Sequence, residues 1–258
     1  MSEASITLSV VIPSYNEMKN LKKGLLDQVH DFLSKQSYSW ELILTDDGST
    51  DGTVDQLKAF AERKSHVKVL QNRHSGKGPT VSAGMLTAEG KYRAFTDFDQ
   101  STPIEEVNRA MDLIKKGYDV VIGSREGEGA KRDEEPFYRH LMGRVFNFFV
   151  QLLALRGIQD SQCGFKMFSD SATKKLFTAL FVYGETQERK DAFMGAFDVE
   201  ILFLARKWGL KLKEMPVEWR HVESDRVNPL KDSVRMFRDI LRIRFAWAAG
   251  KYTLKTSE

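Results

Sequence analysis

Short β-branched runs alternate with amphipathic stretches over the first half of the chain. Leu8–Ile12 is such a run, closed by Pro13, and Glu41–Leu44, Val67–Leu70, Tyr92–Thr96 and Asp119–Ile122 repeat it. Apolar runs of this length bounded by turn residues read as buried strands. Between them, Asn16–Ser34 places Leu21, Leu25, Val29 and Phe32 at helical spacing. Asp51–Lys64 is helical, a helix runs from the glycine-rich turn His74–Gly78 to Ala88, and Pro103–Lys116 opens with a proline near its first turn. Strands alternating with helices predict βαβ units on a mainly parallel sheet. The fold class is therefore α/β, with helices flanking the sheet. Polar residues gather after the strands, at the edge where open α/β sheets bind ligands.

The second half changes character. Glu126–Glu135 is a charged loop, Pro136–Leu155 a long aromatic-rich helix, and Phe165–Phe168 a short strand. Tyr183–Asp191 reads as a polar surface insertion, Phe197–Lys207 as a helix and Leu212–Trp219 as a strand. The tail from Lys231 is a final helix. At about 100° per residue from Val234, Arg235, Arg238, Asp239 and Arg242 share one arc. Val234, Met236, Phe237, Ile240, Leu241, Ile243, Phe245 and Trp247 fill the rest, with Arg244 among them. An apolar aromatic face beside an arginine stripe predicts an amphipathic helix at a membrane surface. Packing of the same helix on the domain core, with its arginines solvated, is the alternative.

Composition narrows the classes. The 258 residues are 41% hydrophobic and 29% charged, so one large domain with a full core is expected. A net charge of +3 does not suggest a nucleic-acid partner, whereas residues 231–258 alone carry +4. The one cysteine, Cys163, fits a reducing compartment. The start shows no signal peptide. The most apolar stretch, Val145–Leu155, is too short to span a bilayer, which takes about 20 apolar residues. A cytoplasmic protein, peripheral on the cytosolic face of a membrane, is the expectation.

Three constellations carry candidate chemistry. Asp46-Asp47-Gly48-Ser49 and Asp97-Phe98-Asp99 each follow a strand. Alternation puts Asp97 and Asp99 on one side of the chain. Paired carboxylates suit Mg²⁺ or Mn²⁺ bridging a diphosphate, with substrate oxygens completing the shell. Asp47 contacts a base or ribose on the functional reading; on the other, Asp-Gly-Ser makes a turn and caps the helix at Asp51. Pro13-Ser14-Tyr15-Asn16-Glu17 opens a helix after the first strand, as a cap or as a nucleotide pocket lined by Pro13, Tyr15 and Glu17. His74-Ser75-Gly76-Lys77-Gly78 is a turn or an anion cradle to which Lys77 adds charge. It lacks the spacing of a P-loop.

These motifs resemble the nucleotide-sugar half of family-2, GT-A-fold inverting glycosyltransferases. Gly123-Ser124-Arg125, Asp160-Ser161-Gln162-Cys163-Gly164-Phe165-Lys166, Ala196-Phe197-Asp198-Val199-Glu200 and the arginine-rich tail narrow the resemblance. They point to the polyprenyl-phosphate group, the dolichyl-phosphate β-glucosyltransferases first and the mannosyltransferases next. The resemblance covers about Leu8 to Tyr252. It implies a catalytic domain over 1–230, with a nucleotide-sugar half at about 6–125 and an acceptor half at 126–230, followed by the interface helix at 231–258. It implies transfer of a hexose from UDP-glucose, or alternatively GDP-mannose, onto a dolichyl or polyprenyl phosphate. A non-catalytic nucleotide-binding membrane adaptor is the remaining alternative.

The implied metal ligands are Asp97 and Asp99. The implied donor contacts are Pro13, Tyr15, Glu17, Asp47, Lys77, Asp97, Gln162 and Arg226. A phosphate acceptor is largely dianionic at neutral pH and calls for arginine forks, here Arg125, Arg139 and Arg144. Cys163 reads as a packed thiol. Asp198 and Glu200 position sugar hydroxyls or belong to an ion pair.

Overall fold

The computed structural model describes residues 5–132, 147–184, 195–222 and 229–253. β1 (Leu8–Ser14) lies inside the sheet and is buried along its whole length, as its unbroken apolar run requires. It pairs in parallel with β2 (Trp40–Asp46), Leu8 opposite Trp40 and Ser14 opposite Asp46. On its other side it pairs in parallel with β4 (Tyr92–Phe95). β3 (Val67–Gln71) continues the sheet beyond β2. β7 (Lys166–Ser169) runs antiparallel between β4 and β5 (Val120–Ser124), and β8 (Leu212–Pro216) pairs in parallel outside β5. The seven-stranded order is β3-β2-β1-β4-β7-β5-β8. A separate parallel pair joins β6 (Lys131–Arg132) to β9 (Glu218–Trp219).

The alternation of each strand feeds two cores. Val10, Ile12, Leu42, Leu44 and Ala94 pack under α2 (Leu25–Ser34), α3 (Thr53–Arg63) and α5 (Glu106–Lys115). Val11, Ile43, Phe95, Ile122 and Phe168 pack under α4 (Lys77–Thr87), α7 (Asp170–Phe177), α8 (Phe197–Lys207) and α9 (Pro229–Ala248). α4 approaches the sheet closely because Gly84 faces Val11, leaving no room for a side chain.

Several elements depart from the sequence pattern. Asn16–Ser34 is two helices, α1 (Met18–Leu21) and α2, because Gly24 adopts φ 71° and closes the first with an N–H to Leu21 O bond of 3.0 Å. α7 adds a helix that the pattern did not suggest; Ser169 Oγ caps it by accepting the Ala172 N–H at 3.2 Å. Leu212–Trp219 divides at Val217, whose N–H bonds Ser124 O while its carbonyl accepts the Lys131 N–H, so the chain passes from one sheet to the other. Of the expected helix at Pro136–Leu155, residues 147–153 are helical (α6) and Pro136–Phe146 lie outside the described residues. Of the insertion at Tyr183–Asp191, only Tyr183 and Gly184 are described.

α9 is not lined on one side by arginine alone. Ile240, Ile243 and Ala246 join the core, and Asp239, expected on the polar arc, is 3% exposed and paired with Arg242 at 3.1 Å. Val234, Phe237 and Phe245 remain exposed. Among the described residues no helix is long and apolar enough to cross a membrane.

Candidate active site

The chain runs from β1 outward to β3, then returns to β4 on the other flank of β1. The gap beyond the carboxyl ends of β1 and β4 is thus a topological switch point, where α/β sheets take ligands. The three candidate motifs follow β1, β2 and β4, and the glycine-rich turn follows β3.

The β1 and β2 motifs largely hold one another. Asp46 accepts from Ser14 Oγ at 3.2 Å, from the Ser49 N–H at 2.9 Å and from Ser49 Oγ at 2.5 Å. Asn16 takes φ 53°, a conformation asparagine tolerates. Its N–H reaches Ser49 Oγ at 2.8 Å and its Oδ1 accepts the Thr50 N–H at 2.9 Å. Glu17 is 7% exposed, bonds Thr53 Oγ1 through its N–H and accepts from Asn20 Nδ2 at 2.6 Å. Pro13 is buried within β1.

Asp47 is 4% exposed and holds the next loop. Its carboxylate accepts the N–H groups of Ser75 at 2.8 Å and Gly76 at 3.0 Å, and Thr80 Oγ1 at 2.9 Å. It also meets His74 Nδ1 at 2.9 Å, which the carboxylate fixes as the protonated nitrogen. His74 lies flat on Tyr15, with ring centroids 4.3 Å apart and planes 7° from parallel. Gly48, at φ 73°, lets the 74–78 loop pass: a Cβ there would stand 2.8 Å from the His74 nitrogen.

This loop delivers Lys77 to the carboxylates after β4. Lys77 Nζ meets Asp97 Oδ1 at 2.5 Å and lies 6.0 Å from the Phe197 ring centre. In the turn after β4, Phe98 is buried while Asp97 and Asp99 stay partly exposed, as alternation requires. Asp99 accepts the Ser101 N–H at 2.9 Å. Burial pushes the Asp99 carboxyl above its usual range, and the neighbouring Asp97 charge adds to that push. Burial would lower Lys77, but Asp97, Asp198 and Asp99 outweigh it and hold the ammonium well protonated. Behind this group, Lys166 is fully buried, pairs with Asp198 at 2.5 Å and donates to Cys163 O at 2.7 Å. Three carboxylates and two ammonium groups leave the cluster net negative, which suits a cation. Among the described residues no three acidic, histidine or cysteine side chains converge as a ligand set. The Asp97–Asp99 pair is the oxygen donor set present, and it leaves positions for substrate oxygens.

The 160–165 loop closes the far side. Arg125 grips Asp160 with two parallel bonds, 2.7 and 2.9 Å, and lies over the Trp219 ring. Although Asp160 is buried, the Arg125 charge and its hydrogen bonds hold the carboxyl down to about 2. Gly164 packs against the Asp97 carboxylate with no space for a Cβ. Gln162 Nε2 is buried there without a hydrogen-bond partner among the described residues. A family model described as glycosyl transferase family 2 matches residues 9–177, spanning all of these motifs but the last helices.

The chain belongs to glycosyl transferase family 2.

Among family-2 relatives it is 34% identical to the dolichyl-phosphate beta-glucosyltransferase of Dictyostelium discoideum over 98% of this chain and 78% of that one. It is 33% identical to the Drosophila melanogaster protein of the same name over 97% and 78%. Its GT-A fold matches that of glucosyl-3-phosphoglycerate synthase from Mycobacterium tuberculosis, solved with Mn²⁺, UDP and glucosyl-3-phosphoglycerate. The TM-score is 0.64 at 17% identity, over 98% of this chain and 82% of that one.

The structure brings together Lys77, Asp97 and Asp99 at the switch point, with Gln162 on the loop beside them. Tyr15 stands at the end of β1 against His74, and the Asp47 carboxylate is taken up by the loop it shapes. The Arg125 guanidinium, expected on the acceptor phosphate, is engaged by Asp160. Arg139, Arg144 and Arg226 lie outside the described residues. Cys163 is 1% exposed and burial raises its thiol, in keeping with a packed side chain. Asp198 is in an ion pair. Glu200 instead accepts the N–H groups of Phe181, Val182 and Tyr183 and the Tyr252 hydroxyl. Lys166 and the His74–Tyr15 stack are the parts that sequence reasoning did not single out. A lysine inside an otherwise apolar strand was the available signal for Lys166, since lysine is almost never fully buried unless paired.

Proposed function

We propose that the chain transfers glucose from UDP-glucose to a dolichyl or polyprenyl phosphate with inversion at the anomeric carbon. Glucose and the lipid phosphate come from what the named relatives act on. The observation that carries the chemistry is the Lys77–Asp97–Asp99 cluster at the switch point. The reaction joins two anions and expels a third, so electrostatics is its main demand. Mg²⁺ or Mn²⁺ fits Asp97 and Asp99, hard oxygen ligands whose mutual repulsion a cation relieves, and when bound neutralises charge on the departing diphosphate. Lys77, held charged, stands beside the same place. Tyr15, Pro13 and Glu17 line the nucleotide side, and Asp47 acts through the 74–80 loop. Gln162, whose amide nitrogen has no partner among the described residues, is offered to a donor hydroxyl or phosphate, and Arg226 joins the donor side. An oxygen of the acceptor phosphate attacks the anomeric carbon as the bond to the diphosphate oxygen breaks. That phosphate needs little help from a base, and Arg139 and Arg144 receive it, with Arg125 bracing the 160–165 loop through Asp160.

The acceptor also places the protein. A polyprenyl chain stays in a bilayer, so the enzyme must come to that surface, and we place it peripherally, on the cytosolic face.

The test combines binding with turnover. UDP-glucose with Mn²⁺ should raise the melting temperature more than GDP-mannose does, and glucose should pass to a polyprenyl phosphate. Asp99→Asn should keep the fold yet lose transfer, because an amide is a poor ligand for a hard cation, and Asp97→Asn should lose as much or somewhat less. Undiminished transfer by Asp99→Asn, or full activity in EDTA, removes the metal site from the reaction.

A further inference from the structure

Tyr183 lies outside every motif considered so far, yet it touches both helices that present the charged cluster. It is 2% exposed. Its hydroxyl donates to Asp239 Oδ2 of α9 at 2.5 Å and accepts the Ala196 N–H at 2.6 Å. Ala196 is the residue from which α8 starts, and no side chain of its own caps that helix. The Tyr183 hydroxyl therefore occupies one of the N–H groups that a helix start leaves open. Two residues on, Asp198 forms the ion pair with Lys166.

The ring of Tyr183 does a second job. Its Cδ1 stands 3.2 Å from where a Cβ of Gly78 would be, so the first turn of α4, which begins with Lys77, rests directly on it. Gly195, at φ 71°, gives the ring space on the other side. Asp239 is buried in α9 and braced by Arg242 at 3.1 Å, which fixes the oxygen that receives the hydroxyl proton. Tyr183, Ala196 and Asp239 are all buried in close-packed surroundings, so a small displacement passes to the helix starts instead of being absorbed.

We propose that Tyr183 is a positioning residue for the transfer reaction, setting Asp198 against Lys166 through the start of α8 and Lys77 against Asp97 through the start of α4. The inference rests on the reading of that cluster as the active centre. It makes the seat of α9 part of the catalytic geometry, because Asp239 holds Tyr183 in place.

Tyr183→Phe keeps the ring and removes the hydroxyl's bonds to Asp239 and Ala196. With UDP-glucose, Mn²⁺ and a polyprenyl phosphate in detergent, kcat should fall about tenfold or more, since misplacement by about 1 Å costs up to 10²-fold. The KM for the acceptor should stay within about twofold of wild type, and kcat is expressed per donor site titrated with UDP-glucose and Mn²⁺, so that unfolded protein, which binds no donor, does not enter the comparison. Asp239→Asn, which keeps an acceptor oxygen, should retain most of kcat. Asp239→Ala should match Tyr183→Phe, and the double variant should be no worse than either single one. Wild-type kcat in Tyr183→Phe, or equal loss in Asp239→Asn and Asp239→Ala, overturns the proposal. Should Tyr183→Phe not fold, the two Asp239 variants decide it alone. Asp99→Asn in the same assay separates the two levels: if it is inactive while Tyr183→Phe is normal, only the positioning role fails, and if it is active, the site assignment fails first.

Discussion

At the scale of single residues, charge pairs decide more of this site than free charges do. Asp160 shows it most clearly. Arg125 and the surrounding N–H groups hold its carboxyl at about 2, against an ordinary value of 3.8. A depressed folded-state value contributes stability that is present above the unfolded pKa and lost as pH falls through the folded one. The contribution is about 2 kcal/mol at neutral pH, from the size of that shift. Chemical denaturation from pH 5 to pH 2 should therefore show wild type and Asp160→Asn separated by about that amount above pH 4. Their curves should approach each other near pH 2, and parallel curves over the whole range would show that the Arg125 clamp contributes nothing. The residues legible in the sequence were those whose type and spacing name a chemistry, Asp97, Asp99 and Lys77. The occupation of Asp47 by four donors of the 74–80 loop, and of Arg125 by Asp160, was not legible. A carboxylate meant for an internal partner and one meant for a ligand look alike until the loops close.

At the scale of elements, the periodicity of apolar residues located the parallel strands and their helices, because each strand end carries its own turn residues. It failed where one backbone torsion or one interstrand bond overrides the pattern. Leu21, Leu25 and Val29 keep helical spacing across Gly24, yet φ 71° at that glycine splits the helix. A Cβ at position 24 would meet nothing within 4 Å, so Gly24→Ala isolates the backbone term. That substitution should destabilise by roughly 1–2 kcal/mol, the cost of a left-handed alanine, and Gly24→Asn by less. Urea midpoints measure both. A neutral Gly24→Ala would mean that α1 and α2 can fuse without loss. α7 escaped notice because it is short and its cap, Ser169, also ends a strand. The break at Val217 is invisible in sequence because both of its backbone bonds go to distant segments, Ser124 and Lys131.

At the scale of the whole molecule, α6 and α9 form one outward surface. Phe149 meets Phe237 edge to face with centres 5.7 Å apart, and Phe148, Leu152, Val234 and Phe245 stand 62%, 67%, 65% and 72% exposed around them. Soluble surfaces rarely gather so many large apolar side chains in one place. Arg238 and Arg242 are exposed on the same helix, and Arg244 donates to Leu153 O, tying α9 to α6. This divides α9 differently from the helical wheel: among the described residues one stripe is core and another is exposed. Deleting the helix would strip Ile240, Ile243 and Ala246 from the core and Asp239 from Tyr183, so truncation tests folding before it tests binding. Replacement of exposed aromatics alone separates the two. Full burial of a phenylalanine is worth about 1.5–3 kcal/mol, and each basic residue near an anionic surface about 1 kcal/mol. The intact protein should float with anionic vesicles and be partly released by high salt. A Phe148→Ser, Phe237→Ser, Phe245→Ser variant should fold, with its melting temperature lowered only by the lost Phe149–Phe237 contact, and keep its turnover on a short, detergent-soluble polyprenyl phosphate, while its partition into vesicles falls at least about tenfold, the equivalent of about 1.4 kcal/mol. If the triple variant floats as well as the intact protein, the aromatic surface is not what meets the membrane, and the arginines or the undescribed segments must hold the enzyme to its acceptor.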